Sequence, residues 1–103
     1  MLILQVAVDK TLHNYGTVAT GSSNTAVFTL TNTGSYPLVI YSVSASCGCT
    51  NVEWEKHPVS SGQTTTISVE MVPDETSFFS KTIDVYCNIK DSPVRLIVSG
   101  NAD

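Results

Sequence analysis

Apolar and polar residues alternate with a period of two along most of this chain, and Gly, Pro, Ser and Asn interrupt the alternation at the roughly 8–12-residue spacing of short strands. Helical periodicity is nowhere sustained. The pattern predicts a first strand over residues 2–9, with Leu2, Leu4, Val6 and Val8 on one face, then a loop through His13 and Asn14 to residues 15–18. A turn at residues 21–24 leads into a second strand over 25–32. It places Ala26, Phe28 and Leu30 inward and Thr25, Thr29 and Thr31 outward, with Val27 its one outward apolar residue.

Thr33, Gly34 and Ser35 break that strand, and Pro37 opens the next, where its missing N–H does least harm. Residues 38–43 are apolar at consecutive positions, which predicts a central strand or one covered on both sides. A short segment then runs from Thr50 to Glu53 and Trp54 and on to turns at His57-Pro58 and Ser60-Ser61-Gly62. Further strands are expected over 63–72 (Ile67, Val69 and Met71 inward), 80–89 (Ile83, Val85, Cys87 and Ile89 inward) and 94–99 (Val94, Leu96 and Val98 inward). The expectation is therefore an all-β, immunoglobulin-like antiparallel β-sandwich of about seven strands, a single domain over residues 1–103.

Composition agrees with the pattern. The chain holds 13 Val and 13 Thr, residues whose stiff β-branched side chains suit a pleated surface. Five basic against nine acidic residues give a net charge of −4, so the clustered cationic face of a nucleic-acid binder is missing. The same sign disfavours an anionic membrane surface, and no apolar run approaches the ~20 residues of a spanning helix. The expected partners exclude nucleic acid and membrane insertion. Residues 1–9 lack a basic start and alternate into Gln5 and Asp9, which reads as a strand rather than a signal peptide.

Cys47-Gly48-Cys49 is the sharpest local feature, with Cys87, His13 and His57 as company. Structural zinc needs four ligands, usually in pairs two to four residues apart, and a spacing of one with a single distant thiol fits poorly. No metal and no cofactor is expected. Cys87 shares the phase of Ile83, Val85 and Ile89 and reads as a small buried hydrophobe. A bridge between Cys47 and Cys49 would close a strained ring, whereas either could meet Cys87 if its strand lies next door; Cys47, Cys49 and Cys87 remain a candidate disulfide or thiol site. A Cys/His nucleophile lacks both an orienting third group and an oxyanion loop, so no catalytic residue is assigned. Glu53, Glu55, Asp74, Glu75 and Asp91 fall at loops or strand ends, where solvated charge is the ordinary role.

Trp54, Tyr36, Phe78 and Phe79 lie near predicted turns, where they either cap the sandwich or form a binding patch. Tyr86, out of phase with its strand, either packs beneath a loop or faces a partner. The first strand is a candidate edge: Ile3 faces away from Leu2 and Leu4, which burial against another subunit would explain as well as simple scattered exposure. Leu2, Ile3, Leu4, Tyr36, Trp54, Phe78 and Phe79 are the candidate partner-binding residues.

Residues 15–18 (Tyr-Gly-Thr-Val), 28–34 (Phe-Thr-Leu-Thr-Asn-Thr-Gly), 37–40 (Pro-Leu-Val-Ile), 45–50 (Ala-Ser-Cys-Gly-Cys-Thr), 81–86 and 94–100 together resemble bacterial immunoglobulin-like domains of unknown function, a family distantly related to the hydin/abnormal-spindle and major-sperm-protein sandwiches. Ser61 stands where that family favours Pro, and Cys87 where it usually has a small polar residue. The resemblance implies a sandwich with no enzyme activity to transfer and a role in adhesion, scaffolding or accessory binding. Most relatives resemble exported proteins, whereas the start of this sequence reads as a strand, so the expectation is either a product that stays in the cytosol or one whose export signal has been removed. The concrete expectation is a non-catalytic accessory, or decoration, protein on a phage capsid or similar virion, assembled in the host cytoplasm. The alternative is an exported cell-envelope domain of the periplasm or cell surface that binds a protein or glycan.

Overall fold

A computed structural model describes residues 6–46, 50–90 and 92–103. The described residues form eight strands: β1 (Val6–Val8), β2 (Leu12–Val18), β3 (Asn24–Asn32), β4 (Ile40–Ala45), β5 (Thr50–Trp54), β6 (Thr64–Met71), β7 (Phe78–Cys87) and β8 (Val94–Ala102). They make two four-stranded sheets, in the orders β1-β3-β6-β5 and β2-β8-β7-β4. This is the immunoglobulin-like sandwich that the alternation predicts. Ala26, Phe28 and Leu30 of β3, Ile67 and Val69 of β6, Ile83, Val85 and Cys87 of β7 and Leu96 and Val98 of β8 meet in one core between the sheets.

Three expectations need correction. The strand count is eight because the segment around His13 and Asn14, expected as a loop, forms β2, and the short piece before Trp54 forms β5. The pairing is not purely antiparallel, since β2 runs parallel to β8, with Leu12 opposite Ile97 and Val18 opposite Ala102. Parallel neighbours must come from distant segments, and local alternation carries no sign of them. The run 38–43 is not a central or doubly covered strand. It enters β4 at the edge of its sheet, and Tyr41 is 65% exposed.

The two irregularities have local causes. Between Asn14 and Thr17 β2 carries one residue more than β8, and Gly16 takes a φ of +76° there while Asn14 Oδ1 accepts from its N–H at 2.8 Å. A left-handed φ is strained for any side-chain-bearing residue, so glycine suits this bulge. In β4 the register passes from Ile40 opposite Cys87 to Ser42 opposite Tyr86, which makes Tyr41 the extra residue. The bulge leaves both Tyr41 and Ser42 exposed.

The loop between β3 and β4 is fixed by one buried side chain. Asn32 donates to the carbonyls of Tyr36 (2.7 Å) and Val59 (2.8 Å) and accepts from Gly34 N–H (3.0 Å). A reciprocal pair of backbone bonds joins Leu38 and Val59 at 2.8 Å. The chain entering β4 is thereby tied to the chain leaving β5.

Candidate functional site

Cys87 is the one candidate thiol among the described residues; Cys47 and Cys49 lie outside them, as do Leu2, Ile3 and Leu4. Cys87 is a free, buried cysteine, and burial raises its pKa above the ordinary thiol value. Cys87 packs in the core beside Val85 and Ile40.

The four aromatic candidates separate by burial. Phe79 is not a surface residue: it is 7% exposed and packs with Met71, Ala102 and Tyr15 in a second core cluster at one end of the sandwich. Trp54 is half-buried against the main core, with Lys56 Nζ 5.9 Å from its ring centre. Phe78 and Tyr36 are exposed. Residues the sequence did not single out join them: Leu12 at 56% exposure and Tyr41 at 65%. Tyr86 resolves as a surface residue rather than one beneath a loop.

Register places most of these on one surface. On the outer face of the β2-β8-β7-β4 sheet, Leu12 lies beside Ile97, Ile97 opposite Thr82, and Tyr86 opposite Ser42 next to the Tyr41 bulge. Between them Arg95 Nε donates to Asp84 Oδ1 at 3.0 Å, which raises the Arg95 pKa further. Phe78 stands at the far end of the same face, opposite Asn101. The opposite sheet presents mostly hydroxyls and acids, with Val27 an exposed apolar residue among them. Thr25, Asn51, Glu53, Ser68 and Glu70 line one shallow depression there, of about 210 Å³.

Titratable groups elsewhere are structural. Tyr15 Oη donates to the Val69 carbonyl across the sandwich at 2.8 Å, and burial pushes its pKa up to about 12. His13 packs edge-on against Tyr15 and accepts from Lys10 Nζ at 3.0 Å; partial burial and the Lys10 charge lower its pKa. His57, beside Glu55 at 3.1 Å, is exposed and far along the chain from His13. Among the described residues no group of three or more His, Cys, Asp or Glu side chains is placed to hold a metal ion.

Two four-stranded sheets packed face to face, with β1 in one and β2 in the other, define an immunoglobulin-like sandwich. A PapD-like domain of human CEP192 superposes with a TM-score of 0.82 at 13% identity, covering 98% of this chain and 87% of that one. A Caenorhabditis elegans major-sperm-protein family member gives 0.61 at 14%, covering 95% and 97%. The secreted serine protease VesC of Vibrio cholerae gives 0.73 at 15%; this chain covers 96% of itself but only 23% of that protein. At these identities the likeness is one of fold. The chain belongs to the family described as a protein of unknown function (DUF1573), whose model matches residues 6–102. No curated protein matches it.

Proposed function

We propose that this protein is a non-catalytic docking module whose sandwich binds another protein. The observation that carries the reading is the outer face of the β2-β8-β7-β4 sheet, where Leu12, Tyr41, Phe78 and Tyr86 are exposed on a regular, rigid scaffold. Tyrosine and other aromatic side chains combine a large apolar area with few rotatable bonds, which makes them frequent anchors of protein interfaces. Single exposed apolar residues are ordinary; what supports the reading is the neighbouring pair Tyr41 and Tyr86, with Leu12 and Phe78 further along the same face.

The assembly we assign first is a virion, with the module as an accessory protein on a capsid lattice; small size and low charge suit repeated docking. An exported envelope domain is the second reading. It is favoured by the occurrence of the same fold as a minor part of a secreted protease. Purification of the tagged chain from the organism that encodes it, under native conditions, tests the module. Recovery in fixed ratio with one protein species supports it, that species being a capsid subunit in the virion reading and an envelope protein in the other. Recovery as a free 11.0 kDa monomer from both virion and envelope fractions overturns it.

A further inference from the structure

The four sheet edges are not equally protected. Edge strands expose unpaired N–H and C=O groups, and proteins blunt them by shortness, bulges, charges or proline. β1 has three described residues. β2 is broken by its bulge at Tyr15-Gly16. β5 carries Glu53 among its five residues. β4 has the sequence Ile-Tyr-Ser-Val-Ser-Ala, with neither charge nor proline, and its bulge disturbs only the end at Tyr41.

The direction of its free backbone groups follows from one bond. Ser46 N–H donates to Thr82 O, so Ser46 faces β7. Backbone groups in an antiparallel strand alternate, so Ser44 and Ser42 face β7 as well, and Val43 and Ala45 turn theirs to the open side. Among the described residues no hydrogen bond beyond the strand ladders reaches either of them. Their side chains point into the sandwich, where Val43 and Ala45 of β4 and Val52 and Trp54 of β5 are only partly buried against the core. The two edge strands thus border an apolar seam, closed at one end by the Leu38–Val59 bridge.

Of the acids near the seam, Glu55 pairs with His57 at 3.1 Å and Asp84, one strand in from β4, with Arg95 at 3.0 Å, while Glu53 of β5 has no ion pair among the described residues. The neighbouring cations are engaged, Lys56 over the Trp54 ring and Arg95 with Asp84. Tyr41 and Tyr86 offer exposed ring surface on the outward side, where a cation can rest.

Resting on the docking reading above, we propose that β4 is a strand-addition site. An extended segment of a partner protein, in which apolar and basic residues alternate, pairs with the outward backbone groups of Val43 and Ala45. It turns its apolar side chains into the β4–β5 seam and its Lys or Arg side chains toward the exposed rings of Tyr41 and Tyr86. Backbone pairing supplies attachment, and the alternate side chains supply selectivity. The six residues of β4 set the length of the paired segment at about five or six residues.

The test is a titration of the isotope-labelled full chain, followed by NMR, with the acetylated and amidated heptapeptide Val-Lys-Val-Lys-Val-Lys-Val. The Val43 and Ala45 amides are expected to shift and to exchange with solvent at least tenfold more slowly. A peptide N-methylated at alternate residues, and one with Glu for every Lys, should each bind at least tenfold more weakly. Val43→Pro removes an outward N–H without touching the β7 ladder and should weaken binding as much, while the N-methylated peptide gives the same answer if that variant fails to fold. Equal affinity for the N-methylated peptide, shifts confined to Leu12 and Ile97, or no binding at all would overturn the edge assignment. So would β4 amides already protected in a peptide-free dimer, since a second copy would then occupy the edge. In each of these cases native co-purification of a partner protein would leave the docking reading standing.

Discussion

A few side chains hold this sandwich in register, and their removal has calculable effects. Asn32 is 1% exposed and satisfies three backbone groups of the β3–β4 and β5–β6 connections. Asn32→Ala leaves Gly34 N–H and the Tyr36 carbonyl without that partner, while the Val59 carbonyl keeps Leu38 N–H; at roughly 1–3 kcal/mol for a buried group, a loss of about 2–4 kcal/mol is expected in denaturant unfolding, with the slope unchanged. Gly100 is required for a different reason: a Cβ there would stand 2.8 Å from Phe79 Cζ and 2.9 Å from the Gly16 carbonyl. Gly100→Ala should destabilise by about 1–3 kcal/mol, as overpacking does, and Phe79→Leu in the same chain should restore part of it. No recovery would mean that the backbone contact with Gly16 dominates.

Tyr15 gives a pH signature. Its pKa rises from about 10 in the unfolded chain to about 12 in the fold, because burial favours the neutral phenol. A raised folded value means that its contribution is complete below about pH 10 and lost as pH climbs toward 12. The wild type should therefore lose more stability between pH 9 and 11.5 than Tyr15→Phe does, measured as unfolding midpoints. The raised Cys87 pKa works in the same direction and leaves a smaller decline in the variant. Equal declines would show that Tyr15 does not couple folding to pH.

At the scale of the strands, alternation makes the core legible and leaves the sheet order hidden. The inward sets of β3, β6, β7 and β8 are readable because each strand has one buried face and period-two patterning follows burial directly. β2 escapes notice because its pattern is carried by His13 and Tyr15, amphipathic side chains that pack inward, around a glycine bulge. Val39, Ile40 and Tyr41 suggest a doubly covered strand, but the bulge turns Tyr41 outward at a sheet edge. Register shifts of one residue arise from tertiary pairing and have no local signature. Amide hydrogen exchange should follow the sheet order: Ile67, Val69, Ile83 and Leu96 slowest, and the outward amides of Val43 and Ala45 fast. Slow exchange at Val43 in the free monomer would show the edge to be covered.

For the molecule as a whole, the candidate surface was only partly legible. Phe78 and Tyr36 are exposed as an interface residue must be, Trp54 is half-buried beside the seam, and Phe79 belongs to the core. Proximity to a turn does not distinguish them, because Phe78 and Phe79 are neighbours on opposite faces of one strand. Leu12 and Tyr41 were missed, since exposure on a sheet face depends on which strands flank it. Surface changes such as Leu12→Ser should alter stability by no more than about 0.5 kcal/mol while weakening partner binding if that face docks. The balance of −4 remains informative at this scale, for it favours a basic partner segment.

The most direct test of the docking account is hydrogen–deuterium exchange of the chain within its natively purified complex, compared with the free protein. The account predicts a complex with a protein partner in which exchange slows at residues 40–45 and at exposed positions of the same sheet, with the core strands unchanged. A chain that forms no protein complex, or one whose exchange in the complex matches that of the free protein throughout, would contradict it.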